Sequence, residues 1–259
     1  LFEEKESIAI FVIFHFFILS SITQKTKTNK NMNEYSPVVS EASQVERTEF
    51  YKKTYLHVAF AILAFIVLEV LLINIIPADV IYGMLSKSSV WLIILGLFWL
   101  GSIVAGKLSV SVSRNMQYLG LGFFALLEAI IFLPMIYLAV AYSGSHLILQ
   151  AATVTLAMFA GLTALVFTSN YDFSFLRTGL IVGGFISIGL IVAGALFGFN
   201  LGLWFSVGMV LLASGSILYQ TSQIKNIYTT DQYVGAALQI FSSVMLLFWY
   251  VLRIFMSRD

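Results

Sequence analysis

The chain has no cysteine, which removes disulfides, thiolate metal sites and cysteine nucleophiles. Charge is scarce as well. Only 10% of the residues are Asp, Glu, Lys or Arg, against about 25% in an ordinary soluble domain. The formal net charge is +1, so there is no basic field to gather nucleic acid, and no nucleic-acid partner is expected. Histidine is rare, and the segment order puts His57 and His146 on opposite sides of a membrane, where they do not make a two-histidine metal site. Ser145 precedes His146, but adjacency alone makes a turn rather than a nucleophile–base pair. An intramembrane hydrolase lacks its constellation, and no enzyme activity and no resident cofactor are expected.

What is present is apolar. Hydrophobic residues make up 59% of the chain, and Phe alone occurs 23 times. A soluble fold of this length needs far more polar surface, so the membrane class follows. Seven apolar segments stand at about 55–76, 89–106, 117–142, 146–168, 175–197, 202–224 and 234–256, each close to the ~17–25 residues of a spanning helix. Lipid offers no partner to an open backbone group, so these are helices. The expected fold is an all-α integral membrane protein, a bundle of seven transmembrane helices over residues 55–256. The breaks between segments carry turn residues: Pro77 with Asp79, "SKSS" at 86–89, "SGSH" at 143–146 and "SNYD" at 169–172. Residues 32–54 read as a polar cytoplasmic tail. Residues 1–31 read as an upstream extension or leader outside the fold, with Met32 as the expected start; "IAIFVIFHFFIL" at 8–19 is short of the ~20 residues that span.

Lys and Arg set the orientation. With the N-terminus in the cytoplasm, Arg47, Lys52, Lys53, Lys107, Arg114, Arg177 and Lys225 lie inside, and Lys87, Arg253 and Arg258 lie outside. The basic ending "RIFMSRD" opposes this and leaves a re-entrant last helix open.

Two carboxylates interrupt the oil. Glu69 falls ~21 Å along the first span and Glu128 ~17 Å along the third at ~1.5 Å per residue. An ionised carboxylate at that depth costs at least ~2.5–3.5 kcal/mol. Either each is neutral and bonds a neighbouring helix, or one or both line a hydrated path for a cation or proton. The last two spans carry a second polar set: Ser216, Gln220 and Gln223 share one face, and Gln239, Ser242 and Ser243 share another. These faces are expected at similar depth, as hydrogen-bonding glue or as part of a path.

The stretch "ILYQTSQIKNIYTTDQYVGAALQIFSSVMLLFWYVLRIF" at 217–255 resembles the signature of the Bax inhibitor-1 family. "TALVFTSNYDFSFLRTGL" at 163–180 is similar to its D-F-[ST]-F-L element, and "RTEFYKKTYLHVA" at 47–59 to its approach to the first helix. The resemblance implies seven helices, the last one central and wrapped by the other six, in a bacterial cytoplasmic membrane with the N-terminus inside. It implies a calcium or cation leak whose pH sensor is an aspartate pair, latched by a basic residue that ends the second helix. Here Gln220 and Ser243 occupy the pair positions and Lys107 the latch position. Gln and Ser do not titrate, so the switch is expected to be missing, and Glu128, then Glu69, become the expected ion-path carboxylates. The expected partners are the lipid bilayer and a transient Ca2+ or other cation. The other reading is a non-conducting stress regulator that binds a membrane protein such as an ATP-dependent protease.

Overall fold

A computed structural model of the chain describes residues 36–86, 88–169, 171–197 and 201–257; the expected leader at 1–31 lies outside them. Among the described residues eight α-helices follow in order: α1 (Gln44–Ile75), α2 (Ala78–Ser86), α3 (Ser88–Ser109), α4 (Arg114–Ser143), α5 (Ser145–Thr168), α6 (Leu176–Phe197), α7 (Gly202–Asn226) and α8 (Tyr233–Met256). A 3-10 turn, Phe173–Phe175, leads into α6. Six helical segments are long and apolar enough to cross a bilayer, and Ile93–Ser109 is a shorter apolar helix. Together they match the seven expected spans. α2 is the addition. Asp79 stands in its first turn, and Ile81 and Met84 are its buried side. It packs on α3 and α4.

α1 begins well before the expected span. Ser43 caps it: the Glu46 N–H donates to Ser43 Oγ at 3.3 Å, and the Ser43 N–H donates to Glu46 Oε2 at 2.9 Å. That reciprocal pair satisfies two amides that a helix start otherwise leaves open. The helix therefore absorbs residues 44–54 of the expected tail. The residues before it are tied down as well: the Val39 N–H donates to the Tyr228 carbonyl at 2.8 Å, and the Thr230 N–H to the Pro37 carbonyl at 3.1 Å. This short strap holds the α7–α8 loop.

α8 forms the centre. Every residue from Tyr233 to Leu252 is buried, and α1, α3, α4, α5 and α7 pack against it. α6 does not join that wall; it packs on the outside of α7. The helix is unbroken over 24 residues, so the re-entrant alternative does not occur. Contacts fix the directions. His57 stacks on Tyr118 and Phe65 meets Phe132, so α1 and α4 are parallel. Phe124 meets Phe241 and Phe132 meets Phe248, so α4 and α8 are parallel too. Ser216 meets Ser243 and Phe205 meets Tyr250, which makes α7 antiparallel to α8. The outer faces hold exposed Leu63, Ile66, Val67, Val70 and Leu71 on α1 and Phe185 and Ile186 on α6. In lipid such a surface is the ordinary one, because acyl chains are as apolar as leucine.

α3 and α4 approach backbone to backbone at Gly120. A Cβ there would meet Ser109 N at 2.7 Å and Ala105 O at 2.8 Å. Gly122, two residues on, faces open space. Gly120→Ala is therefore expected to destabilise the bundle by about 1–3 kcal/mol, the usual cost of overpacking, with Gly122→Ala near neutral. Detergent-induced unfolding of the two purified variants checks this.

Candidate functional site

Glu128 lies midway along α4, about 21 Å from Arg114 at ~1.5 Å per residue. Phe124, Glu128 and Phe132 stand at four-residue spacing, which puts them on one face of the helix. Phe124 contacts Phe98 and Phe241 at 6.2 and 6.1 Å between ring centroids. Phe132 contacts Phe65, Phe248 and Trp249 at 5.2, 5.6 and 4.9 Å. Glu128 thus sits between two aromatic clusters, on the side of α4 that meets α8, and is 0% exposed. Pro134, one turn further, has no N–H for the Ile130 carbonyl. Glu69 ends the buried stripe of α1, after Phe50, Thr54, Val58, Ala61 and Phe65, and is 4% exposed. Neither carboxyl group faces lipid.

The two polar faces of α7 and α8 do meet. The Ser216 and Ser243 hydroxyls are 3.0 Å apart, and Ser243 Oγ donates to the Gln239 carbonyl at 3.1 Å. Ser243 therefore pairs with Ser216 and not with Gln220, because in this antiparallel register Gln220 stands level with Gln239, about 6 Å along the axis. Gln220 and Gln239 are both 1% exposed. Gln220 Nε2 and both amide atoms of Gln239 have no partner among the described residues.

Lys107, the expected latch, lies on the side of α3 turned away from the bundle. The buried stripe of α3 runs Leu95, Phe98, Ser102, Ala105, Ser109. Lys107 lies two residues from Ala105, on the opposite side of the helix, and is exposed. α3 reaches α8 instead through Ser109 and Val110, which lie against Gly235.

Further polar groups line the wall around α8. The Tyr55 hydroxyl of α1 lies beside the Thr163 hydroxyl of α5 and the Thr221 hydroxyl of α7, in geometry too loose for a hydrogen bond. The hydroxyls of Thr54 and Thr155 and both carboxyl oxygens of Glu69 are likewise partnerless among the described residues. Buried polar atoms in native proteins are paired in the large majority.

Beyond this wall, Asp172 ties the α5–α6 loop to α7. Its Oδ1 accepts from Ser174 N at 3.0 Å, Ser174 Oγ at 2.7 Å and Ser222 Oγ at 3.0 Å. Gln223 Nε2 donates to Ser174 Oγ at 3.2 Å, and Lys225 Nζ donates to the Val166 carbonyl at 2.9 Å. The sequence offered one signal for this anchor, an Asp two residues before a Ser at the start of a helix. Tyr55, Thr163 and Thr221 gave none, because only packing brings three helices together.

The family model described as "Inhibitor of apoptosis-promoting Bax1" matches residues 47–259. The chain is 28% identical to Protein lifeguard 4 of Mus musculus over 228 residues, covering 85% of this chain and 89% of that one. It is 27% identical to Bax inhibitor 1 of Schizosaccharomyces pombe over 172 residues, 63% of this chain and 61% of that one. It is 36% identical to an uncharacterized protein of Pseudomonas aeruginosa over 115 residues, 44% of this chain and 51% of that one. The matches to the last two thus span between half and two thirds of those relatives' length.

The hydrogen bonds from the Ser174 hydroxyl and N–H, with a smaller part from Ser222, hold Asp172 below its ordinary pKa of 3.8. A carboxylate with a lowered folded-state value stabilises the docked loop above the ordinary value. That gain is lost as pH falls through the lowered one. Amide exchange over 171–176, measured at about pH 6 and pH 3 and corrected for intrinsic rates, should show protection falling on acidification. Asp172→Asn should be less protected at pH 6 by roughly two- to fivefold, the worth of one net hydrogen bond, and insensitive to the change.

Proposed function

The chain belongs to the Bax inhibitor-1 family, and from that premise we propose that it is a cation leak of the membrane, with calcium among the ions it passes. Glu128 is its principal ion-path carboxylate and Glu69 the second. The observation that carries this reading is the placement of Glu128: wholly buried, midway along α4, turned toward the central helix and away from lipid. Carboxylates at membrane depth mark ion and proton paths, and a hard cation takes oxygen ligands. The open hydroxyls of Tyr55, Thr163 and Thr221 and the open amide oxygen of Gln239 supply neutral oxygens between Glu128 and the Asp172 loop. Each is a fair replacement for part of a hydration shell.

The α7–α8 seam carries Gln220 and Ser243 where the family resemblance calls for two aspartates. Ser243 joins the two helices through the Ser216 hydroxyl, and neither it nor Gln220 has a proton to gain or lose. We infer a leak without the acid-pair switch, biased instead by whatever sets the charge on Glu128. The neutral seam also favours a second reading, a non-conducting regulator that binds another membrane protein such as a protease.

Reconstituted into liposomes, the purified chain should release trapped calcium. Glu128→Gln should cut the rate by about tenfold or more, the effect of ~1.4 kcal/mol on a barrier, and Glu69→Gln should cut it less. Unchanged flux in both variants removes the carboxylate path. No flux from the wild type, with a membrane protein co-purifying, favours the regulator.

A further inference from the structure

One corner of the bundle, away from the carboxylates, gathers cations around a single phenol ring. Tyr233, the first residue of α8, has the Arg114 guanidinium carbon 4.4 Å and the Lys53 ammonium 5.4 Å from its ring centroid. Its hydroxyl lies 3.1 Å from the Tyr118 hydroxyl. The His57 ring completes the box, 5.1 Å from Tyr233 and stacked on Tyr118 at 5.5 Å. α1, α4 and α8 are parallel, so these residues meet at the same end of all three.

The charge there is only partly answered. Arg114 gives Nη1 to Gln117 Oε1 at 2.7 Å and to the Asp231 carbonyl at 2.8 Å, both neutral acceptors. The Asp231 carboxylate is turned elsewhere and accepts from Thr229 Oγ1 at 2.6 Å. Among the described residues Lys53 pairs with one carboxylate, exposed Glu49 at 2.6 Å. Two cations within about 10 Å of each other repel. Arg114 keeps the Nη2 and Nε donors of a fork whose shape suits a phosphate.

Depth identifies the source of that phosphate. Lys53 precedes the end of α1, and Tyr233 the end of α8, by ~33–35 Å at 1.5 Å per residue. That is about the thickness of the hydrocarbon layer, so the corner stands at headgroup level. Immediately beside it Leu56, Phe60, Tyr118 and Leu119 are exposed, an apolar flank where acyl chains would lie. We propose that the Lys53–Arg114–Tyr233 corner binds the headgroup phosphate of an anionic phospholipid, with its chains along Leu56, Phe60 and Leu119. Glu49 competes with the phosphate for Lys53.

The full chain in phosphatidylcholine nanodiscs doped with fluorescent phosphatidylglycerol tests this. Arg114→Gln should weaken the retained lipid by about fivefold, the worth of one basic residue at a membrane surface, and Arg114→Lys should weaken it less. Glu49→Gln should strengthen it by at least about twofold. Arg177→Gln, an exposed charge at the start of α6, should leave it unchanged. If Arg114→Gln does not fold, Arg114→Lys and Glu49→Gln carry the test. Equal losses in Arg114→Gln and Arg177→Gln mean diffuse attraction and overturn the site. So does full displacement by inorganic phosphate, which assigns the corner to a free anion, and so does a Glu49→Gln variant that binds no more tightly than wild type.

Discussion

α8 touches no lipid along its buried length, and the rest of the architecture depends on that. In a bilayer a helix facing acyl chains must be apolar all round, because an unmet polar group there costs several kcal/mol. A helix walled in by five others is free of that rule. Gln239, Ser242, Ser243 and Tyr250 sit on α8 at membrane depth because α1, α3, α4, α5 and α7 stand between them and lipid. The same wall lets its own inner faces be polar. Thr54 and Glu69 on α1, Glu128 on α4, Thr155 on α5 and Ser216 and Gln220 on α7 are all buried.

Close packing and polar lining sit on different parts of this wall. At the α3–α4 contact, Gly120 lets backbones touch, and aromatic pairs fill the space between α4 and α8. Toward α5 and α7 the contacts are hydroxyls and amides, few of them fully paired. The aromatic side packs tightly, while the side toward α5 and α7 carries the hydroxyls and amides. Glu128 lies at the aromatic contact of α4 with α8, framed by rings, which is why its burial is so complete.

Much of the fold was legible because lipid is a strict solvent. Seven apolar segments, their approximate ends and the shared faces on α7 and α8 follow from hydropathy and the helical repeat. The start of α1 was legible too, in the capping sequence of Ser43 and Glu46, although composition alone read those residues as tail. α2 escaped because nine residues after a proline look like a turn. Lys107 shows the opposite failure: its place in a motif suggested an inward latch, but the period of α3 turns it outward once the buried stripe is known. Glu128 was visible as an anomaly from the first reading, yet its direction was not.

The sequence by itself determined the solvent, the secondary structure and the places where polar groups break the oil, because each of these is a local property of ten or twenty residues set against lipid. Which groups meet was decided only in three dimensions. Ser216 found Ser243, Gln220 came level with Gln239, and Arg114 and Lys53 met on Tyr233. Those meetings depend on the sliding and rotation of whole helices, which side-chain volumes at distant contacts such as Gly120 and Phe132 fix jointly and which no single segment encodes.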